Sequence, residues 1–173
     1  RQLCGLAQYV IIGHSERRHI FGEDDRDTRF KVQAALRNGI RPILCVGETA
    51  DERDAGDTEH VLCDQVASGL MNVASGQLGE VVVAYEPVWA IGSTRPAGTT
   101  DVAAATKVIR DEIGRMFGVA AAKTVPILYG GSVGGSNAEE MLSVDNVNGL
   151  LVGRSSLIAS EFAKMVEIAA EID

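Results

Sequence analysis

Apolar and polar positions follow two alternating rhythms along the chain. In residues 9–13, 43–47, 81–86, 125–129 and 149–153, successive positions are apolar with little interruption. Such short runs predict strands buried on both faces. Between them apolar residues recur at helical spacing. Leu62, Val66, Gly69, Leu70 and Val73 form one such face, Val102, Ala105, Ile109, Ile113 and Met116 a second, and Phe162, Met165, Val166, Ala169 and Ile172 a third. Each predicts a helix laid over the sheet. Gly39 supplies a helix stop before Pro42 and the next strand. Strands alternating with helices predict the α/β class, with a parallel sheet covered by helices. The repetition is structural, because no sequence period of a solenoid or propeller runs through the chain.

Composition narrows the function without changing this picture. The 173 residues suit a single domain, 1–173, and 46% apolar with 23% charged residues is ordinary globular usage. The longest apolar stretches, such as 9–12 and 81–85, fall far short of the roughly 18 residues that span a bilayer, so no membrane association is expected. Sixteen Lys and Arg against 24 Asp and Glu give a net charge of −8. That balance offers nucleic acid no general attraction, although a local basic pocket could still take a small anion. Cys4, Cys45 and Cys63 lack C-x-x-C spacing. They read as buried, reduced thiols of a cytoplasmic protein, not as metal ligands.

The chemistry should lie where the strands end. In parallel α/β proteins the polar residues at the carboxyl ends of strands face the site. Glu86 closes the apolar run 81–85, and desolvation there would raise its pKa and make it a better base near neutrality. The apolar stretch 87–92 that follows reads as a lid, with Pro87 stiffening one hinge. His14 follows the first strand and Gly13, where a neutral imidazole could donate a hydrogen bond to a substrate carbonyl. His19 and His60 sit in polar surroundings and read as surface residues. Two glycine-bearing turns, at 129–132 and 153–156, could bring backbone N–H groups close to a phosphate.

At these residues the sequence resembles the triosephosphate isomerase family. The runs G-H-S-E-R-R at 13–18, C-V-G-E-T at 45–49, Y-E-P-V-W-A-I-G at 85–92, Y-G-G-S-V at 129–133 and L-V-G-R-S-S-L at 151–157 carry the likeness. They stand in the family's order, and the likeness runs from about Leu3 to the C-terminus. It implies a (β/α)₈ barrel and an aldose–ketose isomerisation of a three-carbon sugar phosphate through an enediolate, as in glycolysis and gluconeogenesis, without metal or organic cofactor. By the same likeness Glu86 is the catalytic base and His14 the neutral electrophile, a pairing for which this enzyme is a standard example. Gly92, Ser132, Gly153 and Arg154 would hold the phosphate, the last two through main-chain N–H groups. Ser15 and Glu16 would support His14.

Two departures from the family pattern shape the expectation. The family's substrate-binding lysine, with an asparagine two residues before it, has no counterpart here: the lysines are Lys31, Lys107, Lys123 and Lys164. The five strands then correspond to strands four to eight, the first three βα units are missing, and the chain alone is expected to be inactive or nearly so. Beyond Gly92 the family's Thr-Gly-Lys gives way to Ser93, Thr94, Arg95, Pro96, Ala97 and Gly98. This leaves open a paralogue acting on a four-carbon sugar phosphate. A non-catalytic half-barrel that assembles with a complementary chain is the reading from a different class. The resemblance also implies a homodimer at full length.

Overall fold

Five parallel strands pair in the order in which the chain makes them. The computed structural model describes residues 3–91 and 96–172. Strand β1 (Tyr9–Ile12) leads to helices α1 (Ser15–His19) and α2 (Asp25–Arg37), and β2 (Arg41–Val46) to α3 (Ala50–Asp54) and α4 (Thr58–Leu70). Next come β3 (Val82–Tyr85), α5 (Thr99–Phe117), α6 (Val119–Ala122), β4 (Ile127–Tyr129), α7 (Ala138–Leu142), β5 (Gly149–Leu150) and α8 (Ala159–Glu171). Doubly wound sheets reverse their strand order and carry helices on both faces. Here the order never reverses, so right-handed crossovers place every helix on one face and leave the other as an inner wall.

The pleat divides residues between these walls. Leu44 faces the helices, where a side chain on Gly69 of α4 would come within 2.5 Å of it, which explains a glycine on an otherwise apolar helical face. The register aligns Leu44 with Val83 and Val46 with Tyr85, and all four are buried beneath α4 and α5 together with Leu62, Val66, Ile109 and Ile113. The faces predicted for these two helices are therefore the buried ones, although Met116 is only half-buried and Val73 lies beyond the end of α4. Gly39 ends α2 as expected, with φ of +67°. Among the described residues no helix is long and apolar enough to cross a membrane.

Several expectations need correction. Strand β1 is not buried on both faces: Tyr9 is 42% and Ile11 48% exposed, because β1 is an edge and no element among the described residues covers the inner wall beside it. The face of α8 predicted to cover core buries only Met165, while Phe162 is 44% and Val166 53% exposed. α8 packs chiefly on α7 and the turn 154–157, and among the described residues no strand pairs beyond β5 for its remaining apolar residues to lie on. β5 is also shorter than its apolar run, since it pairs on one side only; Leu151 still donates to the Tyr129 carbonyl at 2.8 Å. Of the three free cysteines only Cys45 is buried; Cys63 is half-buried and Cys4 exposed.

Candidate active site

Strand alternation aims Glu86 inward. Tyr85 faces the helices with Val46, so the next residue points to the inner wall, and the Glu86 N–H donates to the Val46 carbonyl at 2.8 Å. Two glycines on neighbouring strands make room for it. A Cβ on Gly47 would stand 1.7 Å from the Glu86 carbonyl oxygen, and one on Gly130 would stand 3.0 Å from Glu86 Cγ. The residue is only 3% exposed. Burial raises its pKa above the ordinary carboxylate value, against the opposing pull of His14, the Ser15 N–H, the Cys45 thiol and Arg18. This is the environment expected from the apolar run that Glu86 ends.

His14 arrives from β1 across Gly13, whose φ of +70° turns the chain out of the strand. Its Nε2 lies 3.0 Å from Glu86 Oε1. Its Nδ1 accepts from the Glu16 N–H at 3.3 Å, capping α1. A nitrogen that accepts carries no proton, so this contact suits the tautomer with its hydrogen on Nε2, facing Glu86. The Ser15 N–H donates to Glu86 Oε2 at 3.0 Å. Ser15 is buried, whereas the Glu16 side chain is exposed and contributes its main chain to the His14 cap. Arg18 braces the corner: Nε donates to the Gly13 carbonyl at 2.7 Å, Nη2 to the Cys45 carbonyl at 3.3 Å, and Nη1 pairs with Asp25 at 2.6 Å. His19 and His60 are at the surface.

The outward residues of the same strand ends form a second polar cluster, which the sequence did not announce. Fully buried Glu48 accepts from Trp89 Nε1 at 2.9 Å, from the Tyr85 hydroxyl at 3.2 Å to each oxygen, and from Arg53 and Thr58 at 3.4 Å. Arg53 pairs with Asp101 at 2.5 Å and lies over the Trp89 ring. Burial, with Glu48 beside it, pushes the Tyr85 phenol far above its usual range, so it remains a donor. The near side of the expected lid, the 3₁₀ turn Val88–Ala90, is thus anchored on the sheet through Trp89. Glu48→Ala would orphan the buried Tyr85 hydroxyl and the half-buried Trp89 indole N–H and loosen Arg53. It should cost about 3 kcal/mol, read as a lowered urea midpoint at unchanged slope.

His14 and Glu86 open into a cavity of about 400 Å³ whose opposite wall is made by residues 130–133 and 151–155. Both glycine-bearing turns line it, with Ser132, Gly153 and Arg154 at the wall. Asn137 holds the first turn, accepting from the Gly134 N–H at 2.9 Å and donating to the Ser132 carbonyl at 3.1 Å. Gly92, expected at the phosphate, and Ser93, Thr94 and Arg95 lie outside the described residues. Among the described residues no three His, Cys, Asp or Glu side chains gather as a metal-binding set.

A parallel sheet in chain order, with a buried carboxylate, a histidine in contact with it and two glycine turns at its carboxyl edge, defines a protein of the (β/α)-barrel class. A model of the family described as triosephosphate isomerase matches residues 5–169, nearly the whole chain. The chain belongs to the triosephosphate isomerase family. It is 48% identical to the triosephosphate isomerase of Natranaerobius thermophilus over 162 residues, 94% of this chain and 63% of that one. It is 45% identical to that of Chloroflexus aurantiacus (92% and 64% covered) and 48% identical to that of Roseiflexus castenholzii (91% and 62%). The chain thus spans just under two thirds of the length of these relatives.

Proposed function

We propose that the chain carries the acid–base and phosphate-binding side of a triosephosphate isomerase, interconverting glyceraldehyde 3-phosphate and dihydroxyacetone phosphate through an enediolate. The observation that carries this reading is the 3.0 Å contact between His14 Nε2 and Glu86 Oε1 inside a cavity walled by two glycine turns. Glu86, raised toward neutrality by burial, takes a proton from one substrate carbon and returns it to the neighbouring carbon. The Nε2–H of neutral His14 donates to the substrate oxygens on which charge develops, replacing its present partner. Ser132, Gly153, Arg154 and Gly92 hold the phosphate, while Ser15 and Glu16 keep Glu86 and His14 in place. The residues do this without a metal or organic cofactor, in the cytoplasm and within a homodimer of the full-length protein.

We infer further that these five βα units are the fourth to eighth of an eight-unit barrel. About five eighths of a barrel of roughly 250 residues agrees with the 62–64% of each relative that is matched. The exposed inner face of β1 and the exposed flank of α8 are the two surfaces that three more units would cover. On this reading the chain alone has turnover at or near background, and joining it with the three units restores activity. A steady-state assay of the chain by itself checks this; full turnover would overturn it. In the complete barrel kcat/KM should rise with pH as Glu86 loses its proton, with the inflection above the ordinary carboxylate value of 4.5. The same shift has the opposite sign for stability: between the ordinary and the raised value the folded state holds more protons than the unfolded chain, so stability falls as pH rises.

A further inference from the structure

Among the described residues that line the cavity, Arg154 alone carries a permanent positive charge. The ionisable groups of this lining are His14, Glu16, Glu86 and Arg154, and of these only arginine stays cationic at every working pH. Six other arginines are committed elsewhere: Arg17, Arg18, Arg41, Arg53 and Arg115 each pair with a carboxylate, and Arg110 donates to the carbonyls of Ala122 and Val125. Arg154 is exposed at the cavity wall and pairs with no carboxylate among the described residues. Nor is it needed to shape its own turn. Ser155 Oγ donates to the Val133 carbonyl at 2.8 Å and Ser156 Oγ to the Gly153 carbonyl at 2.7 Å, and these bonds fix the turn without the guanidinium.

A phosphate entering this cavity meets two carboxylates, Glu16 and Glu86, in a chain of net charge −8. Backbone N–H groups supply only partial charges, so a dianion held by them alone would remain largely uncompensated. A guanidinium presents parallel N–H groups that match two phosphate oxygens. We propose that the Arg154 side chain, and not only the main chain of its turn, binds the substrate phosphate and supplies its countercharge. This rests on the reading that the cavity takes a sugar phosphate.

The test is the affinity of the protein for inorganic phosphate and for glycerol 3-phosphate, measured by titration calorimetry at two salt concentrations. Arg154→Ala should weaken both by roughly tenfold or more and flatten the salt dependence. Arg154→Lys should recover at least half of that loss on a logarithmic scale. Melting temperatures should stay within a few degrees, as befits an exposed side chain. Arg154→Ala binding phosphate as tightly as the parent would overturn the assignment and leave the sugar-phosphate reading standing. A lysine variant as weak as the alanine one would also overturn it, because charge would then not be the cause. If the parent binds neither probe, the sugar-phosphate reading fails and Arg154 falls with it.

Discussion

Glu86→Gln in the complete barrel should lower kcat by about a thousandfold, within the range of roughly 10²–10⁴ that a positioned general base contributes. Stability at neutral pH should change little, because relief of the buried charge is offset by the loss of one hydrogen bond. The amide has the shape of the carboxylate and no charge to desolvate, but with a single oxygen it can accept only one of the Ser15 N–H and the His14 Nε2, which meet different carboxylate oxygens, and its NH2 faces the other. Burial is the largest influence on this residue, so the penalty for the charged form disappears with the charge. Activity therefore falls far more than stability, which separates loss of a base from loss of a fold. Steady-state kinetics and urea unfolding on the same preparation check both. A variant with parental kcat would remove Glu86 from the reaction.

Gly47→Ala is the second large effect, and it acts through packing alone. The added methyl would stand 1.7 Å from the Glu86 carbonyl oxygen and 2.6 Å from its carbonyl carbon. Backbone cannot step aside as a flexible side chain can, so the ends of β2 and β3 must separate. Overpacking costs roughly 1–3 kcal/mol and sometimes more; a clash with main chain belongs at the top of that range. Because Glu86 moves with its own carbonyl, catalysis suffers as well: a misplacement of about 1 Å can cost on the order of a hundredfold in rate. Unfolding midpoints and kcat should both fall, in contrast to the Glu86→Gln result.

The two glycines beside Glu86 mark the limit of what the sequence reveals. Glu86 itself could be read from the apolar run it terminates, because a strand buried on both sides needs no partner to be recognised. Gly47 and Gly130 look like any strand-end glycines until neighbouring strands are set in register, when each proves to be a close approach to the same residue. Glu48 likewise stands in a polar strand end, and only the pleat shows that it turns away from the cavity toward Tyr85 and Trp89. Cys45 was legible as a buried thiol but not as a neighbour that acts on the Glu86 carboxylate. The failures at β1 and α8 have one physical origin. An apolar stripe records what a segment is suited to pack against, and among the described residues nothing is laid on the surfaces beside the first strand and the last helix.

The anchoring of Trp89 has an optical consequence. The chain has a single tryptophan, so its indole emission comes from one place, with the ring N–H on buried Glu48 and the ring face under the Arg53 guanidinium. Both contacts are polar and lie close to the chromophore, and a change in either would alter the emission wavelength or quench it. Intrinsic fluorescence is therefore a label-free reporter of the root of the 87–92 stretch, built into the protein by its own composition.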